Sequence, residues 1–334
     1  MALARDVERR WYDGTPPSLP LRLVAGLFRF LSAARRGLYR RGWLGSVRLP
    51  VPVVVIGNIS VGGTGKTPLT IAIALELQRR GWRPGVVSRG HGGRATAPML
   101  LDAQSDPGVV GDEPALIRAA GIPVAIGRDR VDAARLLLGQ SIDVVLADDG
   151  LQHYRLARDV EICVIDGQRR FGNGWLLPAG PLREPPARLA GVDFRVVNGG
   201  APGGDEIPMT LHGDVAVSLV ESSRHQPLAD FAGRRVHAVA GIGNPSRFFA
   251  SLREQGIEVI EHAFPDHHAY VAADLDFGDG AALLMTDKDA IKCRPFAHDG
   301  CWRVPVQAQL PGEFFAQLDA LLRRRQTPAA LSHH

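Results

Sequence analysis

The stretch Ser60-Val61-Gly62-Gly63-Thr64-Gly65-Lys66-Thr67 constrains this chain more than any other. It follows the apolar run Val51-Pro52-Val53-Val54-Val55-Ile56 and precedes Pro68-Leu69-Thr70-Ile71-Ala72-Ile73-Ala74-Leu75, which reads as a helix. A strand, a glycine-rich loop closing on Gly-Lys-Thr and then a helix form the context of a phosphate-binding P-loop. The glycines let backbone N–H groups close around phosphate oxygens, and the helix N-terminus adds its positive dipole end. In that reading Lys66 reaches the β- and γ-phosphates and the Thr67 hydroxyl binds Mg²⁺. The pattern departs from the usual one at its first position, where Ser60 replaces glycine. The loop predicts a nucleotide, and the use of its phosphate must come from the other motifs.

A chain of 334 residues with 45% hydrophobic content has room for two domains and a sizeable core. Its net charge of +4 favours an acidic partner without naming one, and neither nucleic acid nor an obligate protein partner is expected. Cys163, Cys293 and Cys301 have no metal-ligand spacing and read as reduced, buried thiols of a cytosolic protein. The first residues lack the order of a signal peptide, so export is not expected. No charge-free apolar run reaches the roughly eighteen residues a membrane span needs, although the chain can still lie on a membrane.

From Leu19 to Leu44 the sequence is apolar and basic, and no Asp or Glu occurs between Asp13 and Glu76. Pro20 suits a first helical turn, so a helix is predicted from about Leu21. At about 100° per residue, Leu23, Val24, Leu27, Phe28, Phe30, Leu31, Ala34 and Leu38 share one side. Arg22, Arg29, Arg36 and Arg40 gather on the other, while Arg35 and Arg41 intrude near the edges of the apolar side. Tyr39 and Trp43 near the end are residue types at home in a membrane interface. Periodicity leaves two readings open: a helix lying in the headgroup plane of an anionic bilayer, or one packing its apolar stripe on the protein.

Next, Gly85-Val86-Val87-Ser88-Arg89-Gly90 reads as a strand entering a loop. Loops at the C-terminal ends of parallel strands line the ligand crevice of open α/β sheets, so Arg89 and His91 are candidates to face a phosphorylated substrate. A solvated surface turn is the alternative. Gly111-Asp112-Glu113-Pro114 opens a helix, where adjacent carboxylates serve either as caps or, if the loop faces the γ-phosphate, in catalysis. The apolar strand Ile142 to Ala147 ends in Asp148-Asp149, the arrangement that holds Mg²⁺ downstream of a P-loop. Leu151-Gln152-His153-Tyr154-Arg155 continues with polar donors at the same crevice edge.

The irregular Asn173 to Pro185 segment is long enough to suggest a functional loop. Phe194 to Asn198 is expected to close the first sheet, and the glycine-rich stretch 199–204 reads as a linker, with Met209 to Leu219 a possible linking strand. The predicted organisation is residues 1–50 as a membrane-associating helical region, 51–205 as a P-loop core and 206–334 as a smaller α/β domain. The fold class is α/β, a mostly parallel P-loop sheet flanked by helices. In the smaller domain, Gly241-Ile242-Gly243 is too short to claim a dinucleotide site, and Pro265-Asp266-His267-His268 reads as a solvated loop. Thr286-Asp287-Lys288-Asp289 is a broken form of a guanine-reading pattern. The chain end after Arg325 is expected to be disordered.

Taken together, these motifs resemble the tetraacyldisaccharide 4'-kinase family of lipid A biosynthesis. The resemblance spans nearly the whole chain. It rests on Gly57-Asn58 and Pro68 around the P-loop, Ser88-Arg89-Gly90, Gly111-Asp112-Glu113-Pro114 and Asp148-Asp149-Gly150-Leu151-Gln152-His153. It extends through Leu177 to Pro185, including Arg183, then Asn198-Gly199-Gly200, Ala240 to Pro245, Phe264 to His268 and Thr286 to Asp289. Ser60 agrees with the family's loop; His91 stands where the family usually has Tyr, and Asp287 where Glu is common.

The resemblance implies phosphotransfer from ATP, with Mg²⁺, to the 4'-hydroxyl of a tetra-acylated glucosamine disaccharide 1-phosphate, giving lipid IVA. It implies Asp112 as the base, His267 as the residue that orients or tunes it, and Glu113 in the metal shell beside Thr67, Asp148 and Asp149. Arg89, His91, Gln152, His153 and Arg183 are the implied substrate contacts. A base and its partner from different domains would couple catalysis to domain closure. The acyl chains favour the membrane reading of the N-terminal helix, at an anionic surface on the cytoplasmic face of the bacterial inner membrane. Two rivals remain: a P-loop transferase or synthetase acting on a soluble acid, and a nucleotide-switch GTPase or metallochaperone.

Overall fold

The structure, a computed structural model, describes residues 9–326 and arranges them around two sheets. The first has nine strands, in the order Gln307–Gln309, Ile207–His212, Phe194–Asn198, Val160–Asp166, Val53–Gly57, Val144–Asp148, Pro84–Ser88, Val124–Ile126 and Met99–Leu100. Only its two edge strands run antiparallel to their neighbours. Parallel strands are covered on both faces, which explains why Val53–Gly57 and Val144–Asp148 are buried throughout and are apolar up to the closing Asp148. Val53–Gly57 pairs with Val144–Asp148 on one side, Ile56 opposite Asp148, and with Val160–Asp166 on the other. That register sets the P-loop and the Asp148-Asp149 turn side by side at the carboxyl edge of the sheet. Behind the loop, the helix Lys66–Arg79 buries Leu69, Ile73 and Leu77 against the sheet, each worth roughly 1.5–3 kcal/mol.

The second sheet has six strands, in the order His225–Pro227, Val215–Ser218, Cys301–Val304, Ala282–Thr286, Arg235–Ala240 and Glu258–Ala263. Phe231, Phe249, Leu252 and Trp302 fill its core. The expected division at residue 205 does not follow the two sheets. Ile207–His212 extends the first sheet beside Phe194–Asn198, so the sheet does not close at Asn198. Val215–Ser218 then joins the second sheet, and the chain later returns to the first through Gln307–Gln309. The terminal helix Gly312–Gln326 buries Phe314, Leu318 and Leu322 in the P-loop core, and Trp82 Nε1 donates to Asp319 Oδ1 at 2.8 Å. The glycines at 199–204 are a connection between neighbouring strands, and a composition of that kind looks the same whether it joins strands or domains. The start of the chain and its expected disordered end lie outside the described residues.

The N-terminal helix runs from Leu19 to Arg40, two residues earlier than predicted, with Pro20 in its first turn. It is attached through its arginines: Arg36 Nη1 pairs with Glu184 at 3.1 Å, Arg35 Nη1 donates to the Gln152 carbonyl at 3.2 Å, and Arg22 lies over the Trp175 ring. Phe28 packs inward, whereas Leu23, Val24, Leu27, Phe30 and Leu31 are exposed, Phe30 by 69%. The reading in which the apolar stripe packs on the protein is therefore overturned. Arg36 is held by Glu184 and Phe28 is partly buried against the protein, whereas Arg22 stays exposed. Among the described residues no helix is long and apolar enough to cross a membrane.

Candidate active site

Gly65 precedes the P-loop helix at φ +91, and a Cβ there would meet Asn198 Nδ2 at 2.4 Å. The same Asn198 Nδ2 donates to the Thr64 carbonyl at 3.0 Å and fixes the loop from an adjacent region of the sheet. Asn58 Nδ2 donates to Thr64 Oγ1 at 3.3 Å. The Pro/Gly segment buttresses the other side: Val61 N donates to the Pro181 carbonyl at 2.8 Å and Arg183 N to the Ile59 carbonyl at 2.7 Å. Ser60 forms a β-bridge with Leu182. That pairing uses ordinary extended backbone, so the position has no need of the glycine found in the usual pattern.

Asp148 is fully buried, and Thr70 Oγ1 donates to its Oδ1 at 3.0 Å. Its Oδ2 is buried without a hydrogen-bond partner, and burial, with Glu113 next, pushes the carboxyl up. An orphaned buried acceptor beside a P-loop suits a cation. Asp149, at φ 49, turns into the cleft, 3.7 Å from Lys66 Nζ and 3.3 Å from Arg183 Nη1. Burial would raise Asp149, but Lys66 and Arg183 outweigh it and hold the carboxyl below the usual range. Among the described residues no three His, Cys, Asp or Glu side chains are grouped as a self-sufficient metal site. A P-loop Mg²⁺ needs no such cage, because nucleotide phosphates and water complete its shell.

Gly111, at φ 94, precedes the helix Asp112–Ala119 and makes no cap bond through a side chain. The Asp112 carboxylate, buried to 7% exposure, is not a cap either. Its Oδ2 lies 3.1 Å from His267 Nδ1 and 3.5 Å from Lys292 Nζ, both from the second sheet's loops and helices. Burial opposes its ionisation, but the His267 hydrogen bond, Lys292 and Lys288 together hold the carboxyl below the usual range. His267 adopts the left-handed region at φ 62, an uncommon conformation for a non-glycine residue. The adjacent histidines part company there, since His268 pairs with Asp274 at 3.0 Å within its own domain. His91 meets His267 edge to face, centroids 5.3 Å apart. The expectation that this was a solvated loop is corrected for His267.

A cleft of about 1060 Å³ lies between the two sheets. Lys66, Thr67, Glu113 and Asp149 line it with Arg89, His91, Gln152, His153, Arg183 and His267. Asp112 and Asp148 stand behind this lining, as do Ser60 and Val61 of the loop. Gln152 is partly committed, because its Nε2 donates to the Asn58 carbonyl at 3.0 Å and to Glu184 Oε1 at 2.9 Å. Burial, with Arg130 next, depresses His153 to about 4, so its ring is neutral. Sequence reasoning missed Arg128 and Arg130, which line the cleft just after strand Val124–Ile126; the strand-end rule that found Arg89 would have found them. It also missed Asn198, Lys288 and Lys292 as contributors to this site, for which spacing offers no signal.

The family described as Tetraacyldisaccharide-1-P 4'-kinase matches residues 17–323. The chain is 53% identical over 322 residues to the Tetraacyldisaccharide 4'-kinase of Xanthomonas euvesicatoria pv. vesicatoria, covering 92% of this chain and 93% of that one. With the Tetraacyldisaccharide 4'-kinase of Stenotrophomonas maltophilia it shares 52% identity over 319 residues, 92% of this chain and 94% of its relative. Among solved structures it resembles LpxK from Aquifex aeolicus in complex with ATP, with a TM-score of 0.76 and 28% identity over 90% of this chain and 96% of that one.

Proposed function

The chain belongs to the tetraacyldisaccharide-1-P 4'-kinase family, and we propose from that premise how its cleft divides the work of phosphotransfer. The reaction is ATP-dependent phosphorylation of the 4'-hydroxyl of a tetraacyldisaccharide 1-phosphate in lipid A biosynthesis. The rival readings, a transferase on a soluble acid and a nucleotide switch, fall with that membership. Phosphotransfer asks the protein to neutralise the γ-phosphate, align the hydroxyl and accept its proton.

The P-loop amides from Ser60 to Thr67 and the Lys66 ammonium cradle the phosphates. Thr67, Asp148, Asp149 and Glu113 would hold Mg²⁺, which when bound neutralises charge on the β- and γ-phosphates. Asp112 is the general base for the 4'-hydroxyl, and His267 orients it. The observation that carries this reading is the 3.1 Å approach of His267 Nδ1 to Asp112 Oδ2 beside a cleft that also holds Lys66. Because the two residues come from opposite sides of that cleft, the base is assembled by closure. Arg89, Arg183, Arg128 and Arg130 give the cleft a cationic wall suited to the acceptor's own phosphate, with His91 and His153 beside them.

The acceptor's acyl chains stay in a bilayer, so its head must be presented from a lipid surface. The outward stripe of Leu23, Leu27, Phe30 and Leu31 suits that surface, and Phe28 and Leu31 also line the cleft. The protein is accordingly peripheral, on the cytoplasmic face of the inner membrane. The test of this reading is transfer of label from γ-labelled ATP to a tetraacyldisaccharide 1-phosphate, by wild type and by Asp112→Ala. Label should reach the lipid in the first case only; near-normal turnover by the variant would require another base.

A further inference from the structure

The helix Asp287–Cys293 carries Lys288 and Lys292 one turn apart, on the same face. Opposite them, across the cleft, stand the adjacent acids Asp112 and Glu113. Lys292 Nζ lies 3.5 Å from Asp112 Oδ2, and Lys288 Nζ lies 3.8 Å from Glu113 Oε1 while bonding Asp266 Oδ1 at 2.9 Å. Lys292 is well buried: its side chain is 13% exposed, its ammonium lies 5.0 Å over the Tyr270 ring, and Asp289 Oδ1 flanks it at 3.4 Å. Asp289 itself has no exposure and is saturated, accepting from Gly241 N at 3.0 Å, Tyr270 OH at 2.9 Å and Thr286 Oγ1 at 2.6 Å. These bonds tie the helix to the Gly241–Asn244 loop and, through Tyr270, to the segment that presents His267. The Gly241–Asn244 loop reaches the P-loop, since a Cβ on Gly243 would meet Gly63 N at 2.9 Å. A buried ammonium is costly to desolvate, so its position against Asp112 is sharply specified.

The hydrogen bond and ion contacts of Asp112 described here all fall on Oδ2. We propose that Lys292 is a positioning residue for the phosphotransfer: with His267 it pins Oδ2 of Asp112 from the second domain and leaves Oδ1 to the acceptor hydroxyl. Lys288 anchors the same helix to Glu113, so both acids are fixed only when the cleft is closed. In the step itself the hydroxyl oxygen bonds to the γ-phosphorus and its proton passes to Asp112 Oδ1. The bond from the γ-phosphorus to the bridging oxygen breaks, and ADP leaves with the electron pair. The inference rests on the assignment of Asp112 as base.

The test compares wild type, Lys292→Met, Lys292→Arg and Asp112→Asn, with Lys292→Met also placed in the Asp112→Asn background. All are assayed as full chains with ATP and detergent-dispersed tetraacyldisaccharide 1-phosphate. Lys292→Met should lower kcat roughly ten- to a hundredfold, with KM for ATP within about twofold of wild type. Lys292→Arg should recover part of the loss. In the Asp112→Asn background the same Lys292→Met change should have no further effect, since a positioning residue has nothing left to position. An undiminished kcat in Lys292→Met, or losses that multiply in the double variant, would overturn the proposal. If Lys292→Met fails to fold, Lys292→Gln is judged by the same criteria. An Asp112→Asn enzyme with normal kcat would instead remove the base assignment itself, a result distinguishable from a normal Lys292→Met beside an inactive Asp112→Asn.

Discussion

His267 Nδ1 and Asp112 Oδ2 meet at 3.1 Å although 155 positions separate them in the chain. The contact spans the cleft between the two sheets. If Asp112 is the base and His267 orients it, as proposed, His267→Ala should lower kcat by about 10²-fold or more, within the usual span for general base catalysis. Binding of ATP to the P-loop, followed by titration calorimetry, should change little. Equal loss of binding and turnover would assign His267 to the nucleotide instead.

Gly65 is the position where an added methyl group has nowhere to go. Gly65→Ala forces φ +91 on an alanine and drives its Cβ to within 2.4 Å of Asn198 Nδ2. The strain is about 1–3 kcal/mol, and it distorts the loop proposed to hold the phosphates. ATP affinity should fall at least about tenfold, measured by calorimetry, with the far-ultraviolet circular dichroism of the protein unaltered.

The outward apolar stripe gives a prediction in which stability and membrane attachment separate. Leu27→Asp with Phe30→Asp changes two exposed side chains and should shift folding stability by less than about 1 kcal/mol. Sedimentation with anionic vesicles should drop strongly, because two charges would enter the acyl boundary. Undiminished sedimentation would sink the docking assignment of this helix.

His153 supplies a pH effect with a definite sign. Its ring titrates near 4 in the folded protein because burial, and then Arg130, disfavour the cation, whereas an unfolded His titrates near about 6.5. Between those values the unfolded chain binds the extra proton, so this group's contribution to stability is lost as pH falls from about 6.5 towards 4. The raised Asp148 acts in the opposite direction over much of the same range. The informative quantity is therefore the difference between wild type and His153→Gln, in which Asp148 largely cancels. The stability advantage of His153→Gln should grow by on the order of 2–3 kcal/mol between pH 7 and pH 4.5 in urea titrations. A flat difference would show that His153 is as easily protonated folded as unfolded.

The terminal helix belongs to the P-loop core, and Leu318 is fully buried there. Leu318→Ala should cost about 2–5 kcal/mol through lost transfer energy and the cavity left behind. The midpoint of urea unfolding should fall with little change in slope. If the helix were a dispensable appendage of the smaller domain, the P-loop core would keep its stability.

The local sequence was most informative where one stretch of chain does one job. Val53 to Thr67 reads as strand, glycine loop and helix because backbone geometry and burial are both local there, and the strand ending at Asp148 is legible for the same reason. The amphipathic pattern of residues 19–40 was equally plain, yet it could not say which face turns outward. That choice depends on Arg36 finding Glu184 and Arg35 finding the Gln152 carbonyl, partners more than a hundred positions away. Likewise Asp112 had the composition of a helix cap, and only His267 and Lys292 arriving from the other sheet distinguish it from one.

The sequence by itself therefore determined the P-loop, the acid pair after its neighbouring strand, the α/β class and, through its ordered motifs, the family. The tertiary structure decided which sheet owns the terminal helix, that His267 turns to the cleft while His268 does not, and that a buried lysine stands beside Asp112. The physical reason is the same in each case. Hydrogen-bonded turns and apolar strands are specified by neighbours in the chain, whereas a buried charge takes its role from whichever distant groups close around it.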